Sequence, residues 1–296
     1  MFKKCTLLFS AILLTSSINA QINILNAKEV DEIGQIGNDQ MAENIDVPIP
    51  YGYIDDRDVL WSKVVWEVID LNQKINLPYY FPTDTTNVSH NRRSLWDNLV
   101  TGLKGGVFEA YPDSFFSSAY PEKELEDKVF TYYYTPPSGG DKEKIEIASK
   151  DIFAYKIKGM WYFDKRQGEL KYRLLGLSPM TKDNASNMSI AIDQSTGKPV
   201  AEESDVLFPL FWVFYPAVRQ VLHNAKVFNP KNSMQPISFD HLLNARRFSA
   251  VIVKEENIYD NRKIEDYVRG NSLFQLLEAD RIKESIRNRE MDMWSY

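Results

Sequence analysis

Apolar residues recur at helical spacing through Trp61, Val64, Val65, Val68, Ile69, Leu71 and Ile75. That period predicts a helix over Asp56–Asn76, stopped by Pro78. Asp55 or Asp56 would cap it, and Asp58 would add negative charge to its first turn. Leu60 and Trp66 widen its apolar surface. Leu77–Pro82 should be extended by its prolines. A second helix carries Leu95, Leu99 and Leu103 on one face and ends at Gly105-Gly106. From Val129 the period falls to two. Val129–Tyr134 reads as a strand closed by a Pro/Gly loop over 136–140. Phe153, Tyr155, Ile157, Trp161 and Phe163 then alternate with polar positions, with Lys156 and Lys158 on the opposite face. Asp164–Glu169 has turn chemistry around Gly168, and Leu170, Tyr172 and Leu174 alternate against Lys171 and Arg173. Together they form the clearest hairpin in the chain. Met188–Ile192 is a further short strand, turning at 195–198.

Val206–Val218 is the most apolar stretch after residue 20. It is interrupted by Pro209 and Pro216 and is too short to cross a bilayer, so it is expected in the core, leading into a helix through His223. Phe248–Val253 is another strand. A final helix starts near Asn271 or Ser272. The expected fold is α+β: an antiparallel sheet over about Val129–Val253, helices packed before and after it, and a C-terminal helical tail. The expected organisation is a signal segment over 1–20, a polar arm over 21–50, a core domain over 51–270 and a C-terminal helix over 271–296.

The first 20 residues have the layout of a secretory signal: Lys3 and Lys4, an apolar run over Thr6–Leu14, then small and polar residues to Ala20. Cleavage is expected between Ala20 and Gln21. Cys5 is the single cysteine. It precedes most of the apolar run, which argues against lipidation, and its removal leaves a mature chain with no disulfide. Residues 21–50 are polar and free of aromatics, and end in Pro48-Ile49-Pro50. Such a segment buries too little to fold alone. It is either a flexible terminus or an arm that orders on a partner, where its Ile and Val spacing would suit strand addition to a neighbour's sheet edge.

Composition narrows the class. With 44% hydrophobic and 26% charged residues among 296, and a mean hydropathy of -0.38, the chain is neither a polytopic membrane protein nor a low-complexity or disordered one. Without Lys3 and Lys4, 33 basic residues face 41 acidic ones, so nucleic acid is an unsuitable main partner. The search for catalytic patterns returns little. His90, His223 and His241 have no metal-site spacing, and there is no HExxH, no GxSxG and no phosphate-binding glycine pattern. The acidic clusters Asp55-Asp56-Asp58 and Glu202-Glu203-Asp205 lack the spacing of a calcium loop and read as caps and solvated loops. Carboxylates distant in sequence leave a secreted, glycosidase-like hydrolase as the rival reading. A carbohydrate-binding module is a third.

What remains is interaction surface. On the last helix Leu276, Ala279, Ile282, Ile286 and Met293 form a narrow apolar stripe among charges of both signs. Such a stripe suits a seam against one partner helix, or docking on its own domain. Trp294 and Tyr296 are terminal aromatic anchors of the kind favoured at interfaces.

Four stretches carry a resemblance: LWSKVVWEVIDLNQKINLPYYFP (60–82), FPLFWVFYPAVRQVLHNAKVFNPKN (208–232), VKEENIYDNRKIEDYVRG (253–270) and LLEADRIKESIRNREMDMWSY (276–296). They resemble the GldN/PorN family of gliding-motility and type IX secretion proteins of Bacteroidetes. The resemblance implies a periplasmic, non-catalytic subunit without a cofactor. Such a subunit forms a ring with an outer-membrane lipoprotein of the GldK/PorK type and contacts the periplasmic part of a GldM/PorM-type motor protein. Asp84-Thr85-Thr86 also resembles the short O-glycosylation motif of exported proteins in that phylum.

Overall fold

The computed structural model describes residues 47–83, 92–134, 143–182, 191–192, 199–200, 206–229 and 237–294. The expected signal segment, most of the polar arm, His90, the Glu202 cluster, Thr85 and Tyr296 lie outside them. Among the described residues a seven-stranded antiparallel sheet organises the chain. We number its strands β1 (Val59–Asp70), β2 (Ala110–Tyr111), β3 (Ile152–Asp164), β4 (Glu169–Lys182), β5 (Leu207–Pro209), β6 (Trp212–Phe214) and β7 (Val251–Glu255). Their order is β7-β1-β3-β4-β6-β2, with β5 also on β4. The main helices are α1 (Leu95–Lys104), α2 (Tyr215–Asn224), α3 (Phe239–Asn244) and α4 (Ser272–Trp294). No helix among the described residues is long and apolar enough to cross a membrane.

The β3–β4 hairpin forms as its alternation predicts, from Ile152 opposite Thr181 to Asp164 opposite Glu169, and Gly168 takes a φ of 65° in the turn. Helix α1 also forms where predicted. The Ser94 hydroxyl caps it by accepting from the Asp97 N–H at 3.1 Å, and Gly105 ends it. The α+β class is the one observed.

The predicted helix over Asp56–Asn76 is instead the central strand β1, paired with β3 on one side and β7 on the other. Asp55 caps only a single 3-10 turn, Asp56–Asp58. The misreading has a physical source. Residues Val64 to Glu67 are all buried because both faces of the sheet are covered, so the two-residue period is lost. Val59, Val64, Val65, Val68 and Ile69 are β-branched, which favours the strand. Leu77–Tyr80 is one helical turn rather than extended chain, with Pro78 in the first turn where its missing N–H costs nothing. Three smaller shifts follow. Val129 and Phe130 belong to a helical turn, the strand there being Thr131–Tyr134; the strand expected from Phe248 begins at Val251; and Val206–Pro209 is exposed sheet edge, the core starting at Phe211.

The two faces of the sheet differ in cover. On the back face, Ile69, Tyr155, Ile157, Leu177 and Val213 pack against α1, α2 and α3 in the main core. At the other end of that face, Val65 and Ile252 pack under α4. On the front face, Val64, Trp66, Trp212 and Phe214, with Tyr111 of β2, are covered largely by Phe116 from the loop after β2. Between the two back-face cores sits Glu67, 3% exposed. Both its oxygens accept from Nη2 of Arg246 at 3.0 Å. The Arg246 guanidinium stacks 4.0 Å from the Tyr172 ring centroid and 5.1 Å from that of Trp161. Burial, then the Glu67 charge, raises the Tyr172 hydroxyl well above its ordinary range. Removing one member of this pair leaves an uncompensated charge in a poorly hydrated site. Glu67→Gln should therefore lower unfolding free energy by about 3 kcal/mol in urea titration. The double replacement Glu67→Gln/Arg246→Met should recover most of that loss.

Candidate interaction surface

Helix α4 begins where Asn271 places its side-chain oxygen to accept from the N–H groups of Leu273 (3.0 Å) and Phe274 (3.4 Å). Its first turns are fixed to the preceding segment. Gln275 Nε2 donates to the Val268 carbonyl at 2.9 Å, and the Tyr267 hydroxyl donates to Glu278 at 3.1 Å. Glu278 also receives a two-pronged contact from Arg281 at 2.7 and 2.6 Å. Burial and the bond to Glu278 push the Tyr267 hydroxyl up to about 12.

The sequence stripe divides on this scaffold. Ala279, Ile282 and Ile286 are 4%, 1% and 4% exposed and pack on Val65, Ile252 and Ile264. This part of the stripe docks on its own domain. A narrow stripe suffices because the groove that receives it is narrow, walled by Trp161, Leu170 and Tyr172 on one side and the Ile264–Tyr267 turn on the other. The flanking charges stand in water, and Glu284 and Arg287 pair at 3.6 Å with both side chains about two-thirds exposed. Leu276 is 44% exposed and Met293 is half-buried, while the Trp294 side chain lies outside the description.

The exposed apolar surface of α4 lies mostly off the predicted stripe, which contributes Leu276 to it. Leu273, Phe274 and Leu277 are 59%, 57% and 54% exposed. Leu273 and Leu276 line a 500 Å³ groove whose far wall is Val251, Ile252 and Val253 of β7. Strand β7 is a sheet edge, and among the described residues its outer side makes a single bridge, Lys254 to Lys263. An open strand edge beside four exposed apolar side chains is a surface that can receive another chain through both backbone hydrogen bonds and side-chain burial. The sequence does mark Leu273, Phe274 and Leu277 as apolar, but of the exposed side chains at the start of α4 the predicted stripe took in only Leu276.

A second feature, on the opposite flank, receives the incoming N-terminal chain. Tyr51 lies between two guanidinium groups, 4.3 Å from Arg173 and 4.1 Å from Arg219. Its hydroxyl donates to Asn244 at 2.6 Å. Arg219 donates to both oxygens of Asp240 at 3.0 and 3.1 Å and to the Ile49 carbonyl at 2.7 Å. The Tyr215 hydroxyl and the Asn244 amide complete the Asp240 shell at 2.9 and 2.8 Å. Burial opposes the Arg219 charge, yet the bonds to Asp240 hold that guanidinium above its ordinary value. Burial also raises the Tyr51 hydroxyl, with the Arg219 charge opposing it. The arrangement clamps residues 49–52 over a 610 Å³ cavity, which His223 and His241 also line. It is a structural clasp: each strong acceptor is occupied by a fixed donor. Sequence reasoning passed over Arg219, although an arginine inside the most apolar stretch of the chain was a visible signal of a buried partner.

The division of α4 gives contrasting mutational outcomes. Ile282→Asp/Ile286→Asp should destabilise the isolated chain by on the order of 5 kcal/mol, lowering its thermal midpoint by roughly 10–20 °C. Leu273→Ser/Phe274→Ser/Leu277→Ser should move that midpoint by only a few degrees, since surface changes alter stability by about 0.5 kcal/mol or less each. Differential scanning calorimetry of both variants separates the buried part of the helix from the exposed part.

A family model described as "Gliding motility associated protein GldN" matches residues 54–295. No curated protein is matched. The match begins just after the clasped segment 49–52 and runs through β1, the hairpin and α2 to the end of α4, so it spans every strand of the sheet and the exposed start of α4. The chain belongs to the family of GldN gliding-motility proteins, components of gliding motility and type IX secretion.

Proposed function

We propose that this chain is a non-catalytic structural subunit of the type IX secretion and gliding machinery, working in the periplasm. It assembles into a ring with an outer-membrane lipoprotein of the GldK/PorK type and contacts the periplasmic part of a GldM/PorM-type motor protein. The observation that carries the reading is the exposed apolar start of α4 beside the open edge of β7. Leu273, Phe274, Leu276 and Leu277 are too many adjacent apolar side chains to leave in water without use. The secretory signal over 1–20 supports the compartment, and attachment to a lipidated partner accounts for a subunit without its own lipid. Met293 and Trp294, at the far end of the helix, remain interface candidates on sequence grounds.

Co-expression with the lipoprotein tests it. The wild-type chain should co-purify in an assembly of megadalton size, and its intact mass from the periplasmic fraction should begin at Gln21. The Leu273→Ser/Phe274→Ser/Leu277→Ser variant should remain folded yet lose the large species, with affinity for the partner falling at least 100-fold. Burying apolar surface contributes roughly 25 cal/mol per Å², so three such side chains represent several kcal/mol of association free energy. A folded variant that assembles as the wild type does would overturn the assignment of this surface.

A further inference from the structure

The front face of the sheet carries a cluster of lysines that neither clasp nor helix uses. Lys156 and Lys158 lie two apart on β3. Lys158 is opposite Trp66 on β1, which is opposite Lys254 on β7, and Lys254 is bridged to Lys263. Lys158 is occupied: it is 6% exposed, donates to the Ser114 carbonyl at 2.8 Å, and lies 4.9 to 5.5 Å from the rings of Phe115, Phe116 and Trp66. The others have no ion-pair partner among the described residues: Asp260 and Asp266 attract Lys254 only from beyond ion-pair distance, and Lys156 is influenced by Lys254 and Lys263 alone. The Lys254 ammonium faces the Trp66 ring at 4.5 Å and that of Phe115 at 5.8 Å. The Trp66 indole N–H, buried between these lysines, has no acceptor among the described residues. Burial, then the charges of Lys263 and Lys254, push Lys156 down to about 8. Unpaired surface lysines normally spread into water; these repel one another on a partly dehydrated face. Such a face favours an anion with apolar side chains to cover Phe115, which is 58% exposed.

The chain itself holds a segment of that chemistry. Between residues 21 and 46, six carboxylates (Glu29, Asp31, Glu32, Asp39, Glu43, Asp46) stand against the single cation Lys28, with Val30, Ile33, Ile36 and Ile45 among them. We infer that this acidic segment docks on the lysine face of its own sheet, with its carboxylates on Lys156, Lys254 and Lys263 and an apolar residue against Phe115. Reach permits it. Arg173 of β4, which holds Tyr51, is three strand spacings from β7, about 15 Å. The chain from Asp46 back to Glu32 spans up to roughly 45 Å when extended. Tethering through the clasp supplies an effective concentration in the millimolar range, so individually weak contacts suffice. The inference needs no assembly partner and stands apart from the ring.

The test is zero-length carbodiimide cross-linking of an equal mixture of ¹⁴N- and ¹⁵N-labelled chain beginning at Gln21, read by peptide mass spectrometry. Links should join carboxylates within 29–46 to Lys156, Lys254 or Lys263, should be isotopically pure, and should fall at 0.5 M salt, where the screening length is about 4 Å. In the full-length variant Glu29→Gln/Asp31→Asn/Glu32→Gln/Asp39→Asn, acetylation of Lys156 and Lys254 should speed up severalfold while Lys63, paired with Glu255 on β7, stays unchanged as the control. Absence of these links, or equal lysine reactivity in both proteins, overturns the inference. Links of mixed isotope alone would place the segment on a neighbouring copy and overturn docking within the chain.

Discussion

Glu67 is a carboxylate in the middle of a strand buried on both sides, and the back face of the sheet is arranged around neutralising it. Its partner, Arg246, follows α3 in a left-handed conformation, with a φ of 49°, that brings the guanidinium back over β1. That guanidinium lies on Tyr172, and Tyr172 has room only because residue 159 on the neighbouring strand is glycine; a Cβ there would meet the tyrosine ring and hydroxyl. The main core ends on one side of this cluster and the α4 core begins on the other. One ion pair thus fixes the register of β1 with β3, the position of the turn after α3 and the bed on which α4 lies. A buried pair of this kind adds little net stability, because desolvation offsets most of the attraction, but it penalises every arrangement that leaves one charge alone.

The same strand shows where the sequence stops being legible. The hairpin is plain because one of its faces carries lysines and arginines, so alternation survives. Helices α1 and α2 are plain because one side of each meets water. β1 has covered faces over its inner half, and its apolar positions 61, 64, 65, 68 and 69 satisfy a helical template as well as a buried strand does. Only the β-branched residues distinguish the two, and Asp55 with Asp58 points the wrong way by offering a cap. The clasp was not legible for another reason: Tyr51, Arg173, Arg219 and Asp240 come from four separate segments, and no local pattern joins them.

Helix α4 shows how little apolar width a docked helix requires. Three buried side chains, Ala279, Ile282 and Ile286, hold it on the sheet, aided at its start by Tyr267, Glu278 and Gln275. Stripe width therefore does not separate docking within a domain from pairing with a partner. What separates them is apolar content off the stripe. Leu273, Phe274 and Leu277 do not contribute to the α4 core, and their exposure is the property that the fold leaves unexplained and that an assembly subunit uses.

The distribution of charge follows from the same division of the sheet. Beneath the helices the buried carboxylates Glu67 and Asp240 are each paired, with Arg246 and Arg219, because helices exclude water there. The front face is covered by a loop instead, and lysines accumulate on it beside aromatic rings, with carboxylates such as Glu256, Asp260 and Asp266 near but outside ion-pair distance. A chain with more acids than bases that places several lysines together on one face has concentrated a complementary surface there. Because interactions between exposed charges are screened over about 10 Å at moderate salt, while burial of Leu273 and its neighbours is not, the two surfaces respond to different conditions. The lysine face responds to ionic strength and to the charge of what covers it. The apolar start of α4 responds to the local concentration of a partner.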